Sequence, residues 1–169
     1  MLFQVGEKVI YPNHGVGIIE NVSSRSFGSQ YERFYLLRLM CTSLTMMVPV
    51  SHVGDLGLRK VTRNGEITKV LCFLSSGRCR SCGDWKDRFT ENSEKMNSGS
   101  LLAIAEVLKG LLLLQLAKPL SFREKKMLDR ARHMLITEIA VSRSITEVEA
   151  AEVLKRVLSK ASLSLPAAL

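Results

Sequence analysis

The sequence predicts an α+β protein: a small antiparallel β barrel at the N-terminus, followed by a compact all-α domain. Two patterns and the break between them carry this. Up to about residue 56, apolar runs such as Val9-Ile10-Tyr11, Phe34 to Leu39 and Met46-Met47-Val48 alternate with turn residues at short intervals, the pattern of short antiparallel strands. From about residue 65, apolar residues recur every three or four positions, which is helical spacing. Gly57, Thr62, Arg63, Asn64 and Gly65 interrupt the pattern in between. The division is therefore a β domain over 1–56, a linker over 57–64 and a helical domain over 65–169.

In the β half, Pro12 ends the first run, and Asn13-His14-Gly15 makes a turn. Gly15 and Gly17 mark a turn or bulge before Ile18-Ile19. Ser26 to Ser29 and Thr42-Ser43 are the next turns, and Pro49 closes the run Met46 to Val48. Arg33 and Arg38 are read as outward-facing charges on a strand whose other face is buried. In the helical half, a short helix is expected near Gly65 to Leu74. Asp84 can cap a helix opening at Trp85, which ends near Asn97-Ser98-Gly99. Ser100 caps the next, whose apolar face is Leu101, Ile104, Ala105, Leu108, Leu111 and Leu112. Lys118-Pro119 breaks it. Ser121 with Glu124 and Thr146 with Glu149 have capping-box spacing, in which each side chain satisfies the other residue's free backbone N–H. Leu128, Ala131, Leu135 and Ile139 are the stripe of the first helix so opened; Val153, Leu154, Val157 and Leu158 are that of the second. The tail around Pro166 is expected to fray.

A hydrophobic fraction of 46% with 24% charged residues is enough to build a core, which excludes a disordered chain. The start lacks the basic and apolar regions of a signal peptide. The apolar run Leu111 to Leu114 is far short of the roughly 20 residues that a membrane span needs. The expectation is a soluble, intracellular protein without a membrane partner. The net charge is +8. Residues 76–134 hold 12 basic against 7 acidic residues, while 135–169 hold 4 of each. A concentrated basic region suits nucleic acid, and equally suits a solvated surface.

Catalytic signatures are missing. The three histidines, His14, His52 and His133, belong to no nucleophile or metal motif. Gly15-Val16-Gly17 lacks the third glycine and the helix of a dinucleotide loop. Of the four cysteines, only Cys79 and Cys82 have metal-ligand spacing, and no second pair or nearby histidine completes a zinc site. No enzyme activity, cofactor, metal or small-molecule substrate is expected.

Two constellations remain. Arg123, Lys126 and Arg130 fall on one helical face, with Lys125 and Arg132 flanking the apolar stripe. Such cations either hold phosphates or form a solvated face. Trp85 stands among Arg78, Arg80, Lys86 and Arg88. It is either a core or staple residue, or an apolar wedge steered onto DNA by its cations.

The opening Phe3-Gln4-Val5-Gly6-Glu7-Lys8-Val9-Ile10-Tyr11-Pro12-Asn13-His14-Gly15-Val16-Gly17 resembles the CarD family, including its CdnL branch, and is shared with the polymerase-interacting domain of the transcription–repair coupling factor. Leu120 to Leu128 resembles the C-terminal domain of CarD and CdnL alone, and Trp85, Arg88, Asn92, Lys95 and Gly99 fall where that family's Trp-centred helix places them. The resemblance implies a Tudor-like (SH3-like) barrel bound to the β subunit of bacterial RNA polymerase, with contacts at Arg25, Met47, Val48 and Pro49. It implies a helical domain on promoter DNA at the upstream edge of the bubble, largely without sequence reading. Trp85 would be the wedge, with Lys86, Arg88, Lys95, Arg123, Lys125, Lys126 and Arg130 around it. The outcome would be stabilisation of the open complex by a cytoplasmic, nucleoid-associated regulator. Met47, where some relatives carry arginine, makes the polymerase contact more apolar, and Thr90 and Glu91 thin the charge after Trp85. The Cys79 to Cys82 loop and the Leu111 to Leu114 run also depart from the family pattern. The competing readings are a polymerase-binding adaptor whose helices meet another protein, and a redox or zinc sensor built on Cys72, Cys79 and Cys82.

Overall fold

The computed structural model describes residues 3–79 and 84–168, and the chain divides into two compact units, 1–61 and 62–169. The first holds five antiparallel strands: β1 (Lys8–Tyr11), β2 (Gly15–Phe27), β3 (Gln30–Leu39), β4 (Thr45–Pro49) and β5 (Arg59–Lys60). Their order in the sheet is β4-β3-β2-β1-β5. The strands Tyr35, Leu37 and Leu39 of β3 and Val9, Ile19 and Val48 of their neighbours send side chains to one core. Arg38, one residue out of phase, faces solvent and pairs with Glu20 at 2.9 Å. Phe3 joins the core, and its backbone N–H donates to the Tyr35 hydroxyl at 2.8 Å.

Gly17 is where β2 comes too close for a side chain: a Cβ there would lie 2.7 Å from the Leu37 Cδ1. Two residues on, the β2–β3 register shifts between Ile19 and Asn21. Such a bulge bends a strand and raises its twist. The ladders nonetheless leave β4 and β5 as edges and do not join them among the described residues. The expected closed barrel is thus an open five-stranded sheet. The hairpin is also longer than its sequence suggests. Ser26 and Phe27 pair with Tyr31 and Gln30, so only Gly28 and Ser29 turn. Residues 57–64, read above as linker, contain β5, which pairs with β1 at Val9 and Ile10, and the first residue of α1.

The second unit is all helical: α1 (Asn64–Ser76), α2 (Trp85–Asn97), α3 (Leu101–Ala117), α4 (Phe122–Arg143) and α5 (Glu147–Ser159). Both capping boxes form, with Ser121–Glu124 opening α4 and Thr146–Glu149 opening α5. Lys118, extended at φ −157°, ends α3 before Pro119. Ile104, Leu108, Leu111, Leu128, Leu135, Ile139, Leu154 and Leu158 form the core with Ile67 and Leu74 of α1. Two buried charges knit it. Glu138 accepts from the Thr62 backbone N–H and hydroxyl, holding the start of the unit against α4. The Lys109 ammonium donates to the Phe73 and Leu74 carbonyls at 2.9 Å each, so a cation sits at the C-terminal end of α1, where the helix dipole favours it. The tail does not fray: Leu163 is buried, and the Arg132 guanidinium donates to the Pro166 carbonyl at 3.1 Å. No helix among the described residues is long and apolar enough to cross a membrane.

Candidate nucleic-acid interface

Asp84 caps α2, its carboxylate accepting from the Trp85 backbone N–H at 2.6 Å. That puts Trp85 at the first helical position, before the helix has turned toward the core. The indole is 55% exposed, which removes the core reading. The Lys86 ammonium lies 5.9 Å from the ring centroid, a cation–π distance.

The start of α4 repeats the arrangement. Phe122 follows its N-cap directly, is 67% exposed, and has the Lys126 ammonium 4.6 Å from its ring centroid. Arg123, Lys125, Lys126 and Arg130 are all exposed along this helix. The two helix starts share an electrostatic neighbourhood. Partial burial pushes the Glu124 carboxyl up, yet it is held below the ordinary carboxylate value by its contacts with Ser121 and by the charges of Arg88 and Lys118.

The remaining predicted site residues lie differently. Lys95 turns toward α3, its ammonium 2.8 Å from Glu91 and 3.1 Å from Glu106. The hydrogen bond to Glu91, then that to Glu106, raises its pKa against the effect of burial. Its charge is matched within the fold. Arg88 is half-buried and lines a cavity beneath α2. In the sheet unit, Met47 is 39% exposed on edge strand β4, Val48 is buried and Pro49 is intermediate. Val48 can therefore offer a partner only its backbone. Arg25 is exposed on β2, two residues beyond the position that pairs with Phe34, itself opposite Pro49.

Phe122 and Lys118 escaped the sequence reading. An aromatic immediately after a capping serine, one position outside the apolar stripe of α4, was the available signal for Phe122. Lys118 read only as a helix break, because its nearness to Glu124 depends on how α3 meets α4. No group of three or more His, Cys, Asp or Glu residues able to hold a metal exists among the described residues. Cys41 and Cys72 are exposed, and burial pushes the Cys79 thiol up, away from the reactive thiolate. The Cys79–Cys82 pairing and Arg80 lie outside the described residues on the side of 80–83.

Two family models match the chain: "CarD-like/TRCF RID domain" over residues 3–62 and "CarD, C-terminal domain" over 69–155. The "Putative transcription factor YdeB" of Bacillus subtilis (strain 168) is 33% identical over 146 residues, covering 86% of this chain and 95% of that protein. The chain belongs to the CarD family. A solved structure, "CdnLNt from Myxoccoccus xanthus", is 33% identical and covers 36% of this chain and 86% of its own, with a TM-score of 0.31. The two matches meet the two compact units in order, and the boundary between units at 61/62 falls at the end of the first match.

Proposed function

We propose that this chain is a bacterial, nucleoid-associated regulator of transcription initiation, a binding protein that stabilises the open promoter complex. Its sheet unit, residues 1–61, is a variant of the Tudor-like barrel and docks the RNA polymerase β subunit. Arg25 and the exposed part of β4 at Met47 to Pro49 form the contact. The observation that supports this half is the edge position of β4, whose outer backbone groups can add a partner strand.

The helical unit holds promoter DNA at the upstream edge of the bubble. The single observation that carries this is the pair of exposed aromatics, Trp85 and Phe122, each with a lysine against its ring, on helix starts edged by Arg123, Lys125 and Arg130. Exposed aromatics beside cations suit insertion at an unstacked base step, with the cations on flanking phosphates. Lys95 serves the fold in this arrangement. The contacts need no base-edge reading, because polymerase sets the position. A protein that binds the open state better than the closed one shifts the population toward open by its differential affinity alone.

The test is open-complex lifetime with the full chain and with Trp85→Ala. The expected result is a shorter lifetime with polymerase affinity retained and a melting free energy within about 1 kcal/mol of wild type, since the indole is not core. A lifetime equal to wild type would remove the wedge. A fragment of residues 1–61, shown to be folded, should retain the β subunit in a pull-down; failure of the fragment where the full chain succeeds would reassign that contact to the helices.

A further inference from the structure

We propose that the two units are joined by a one-residue hinge at Val61, because each unit grips the chain up to the residue on its own side of Val61. On the sheet side, Arg59 and Lys60 form β5 and pair in register with Ile10 and Val9 of β1. The Lys60 ammonium also reaches the Glu7 carboxylate at 2.8 Å. The last residue of the strand is thus held by its backbone and by its side chain.

On the helical side the grip begins at Thr62. The Glu138 carboxylate accepts from the Thr62 backbone N–H at 3.0 Å and from the Thr62 hydroxyl. The Ser142 hydroxyl donates to the Thr62 carbonyl at 2.6 Å. The Arg143 Nε donates to the Asn64 side-chain oxygen at 2.9 Å. Glu138, Ser142 and Arg143 lie within two turns near the C-terminal end of α4, so one stretch of one helix holds residues 62–64. Glu138 is buried, and a hydrogen bond to a buried carboxylate is costly to break because water does not replace it.

The consequence is a difference in reach. Eight residues of free chain over 57–64 would have an r.m.s. span of about 16 Å. A single residue between fixed neighbours keeps the Cα atoms of Lys60 and Thr62 within about 7 Å of each other. The connection is a joint, with its freedom in the backbone dihedrals about Val61. Its functional consequence rests on the polymerase and DNA reading above. With the sheet unit docked, a short joint holds the helical unit at high effective concentration beside the DNA. That concentration falls roughly as the −3/2 power of tether length, so five free residues in place of one lower it about tenfold.

The experiment measures backbone amide relaxation by NMR and amide hydrogen exchange on the full chain. The expected profile has order parameters near about 0.85 at Lys60 and Thr62 with a dip at Val61. Exchange of the Thr62 amide should be slow. Glu138→Ala should speed it about tenfold or more while the Leu135 amide stays protected. Ser142→Ala with Thr62→Val loosens the same grip and keeps the buried carboxylate; it should extend the dip from Val61 into Thr62. Equal order at Val61 and its two neighbours, a dip spread over 57–64, or fast exchange of Thr62 in the wild type would each overturn the hinge. An unchanged profile in both folded variants would take the grip away from α4. Four glycines inserted between Val61 and Thr62 leave both grips in place and should shorten open-complex lifetime. A lifetime that responds to Trp85→Ala and not to the insertion would overturn the functional consequence. A lifetime indifferent to both would count against the DNA reading, while the relaxation profile decides the hinge by itself.

Discussion

Helices α2 and α4 both begin with an exposed aromatic under a lysine, yet they stand in opposite relations to the core. α4 is 22 residues long and buries Leu128, Ala131, Met134, Leu135, Thr137, Glu138, Ile139 and Ala140. α2 is 13 residues long, and Met96 is its buried residue. The consequence is a division of labour. The cations of α4 ride on a helix held along most of its length by the core, from Leu128 to Ala140. The tryptophan of α2 rides on a helix anchored near the other end by Met96, the arrangement that the proposed insertion at a distorted duplex would use.

The largest effects expected test that contrast directly. Leu135→Ala removes a fully buried side chain from α4 and should cost about 2–5 kcal/mol in the cooperative unfolding of the helical unit. Met96→Ala should act locally: hydrogen exchange in α2 should accelerate while the main unfolding midpoint moves much less. Equal losses of global stability from the two changes would show that α2 is as integral as α4, and the division of labour would fall.

A smaller effect separates the cations. Lys125→Glu with Lys126→Glu should leave the fold intact, because both side chains are exposed, and should flatten the salt dependence of DNA binding by about 0.9 log unit per lost phosphate contact. Lys95→Gln should change that slope by far less, since its charge is already matched by Glu91 and Glu106. The measurement is DNA affinity over a series of salt concentrations. A slope that responds to Lys95 as strongly as to the α4 lysines would place Lys95 on phosphate instead.

The sequence showed what is local. Ser121 with Glu124, Thr146 with Glu149, Asp84 before Trp85 and Lys118-Pro119 act within one helical turn, so residue order is enough to find them. What it missed depends on distant pairing. Nothing near Lys95 in the chain says that it will meet Glu106 on another helix. The tail carried turn-like residues, but Leu163 found the core and Pro166 found Arg132. In the sheet, the strands were legible from their alternation, whereas closure depends on whether β4 meets β5, which no local pattern encodes. Val48 read as a contact residue by resemblance, and its place in the register sends its side chain into the core.

The smallest expected effect probes the electrostatic link between the two helix starts. Partial burial raises the Glu124 pKa, but its contacts with Ser121 and the fields of Arg88 on α2 and Lys118 outweigh this and hold it below 4.5. A carboxylate with a lowered folded pKa stabilises the native state above its unfolded pKa, and that contribution disappears as the pH falls through the folded value. Stability from this group is therefore whole near pH 6 and lost progressively below about 4.5. Glu149 in the α5 box and Glu7, whose first partner is Lys60, shift in the same direction, so the wild type loses several such contributions together. Glu124→Gln retains a side chain that can close the capping box but cannot ionise. Chemical denaturation at pH 6 and pH 3 should show a smaller loss on acidification in this variant, by a few tenths of a kcal/mol once solvent screening is allowed for. Added salt should shrink the difference, because part of it is the attraction of Arg88 and Lys118 through solvent-accessible space. An identical acid loss in Glu124→Gln and wild type would mean that Arg88 and the α4 start are electrostatically independent.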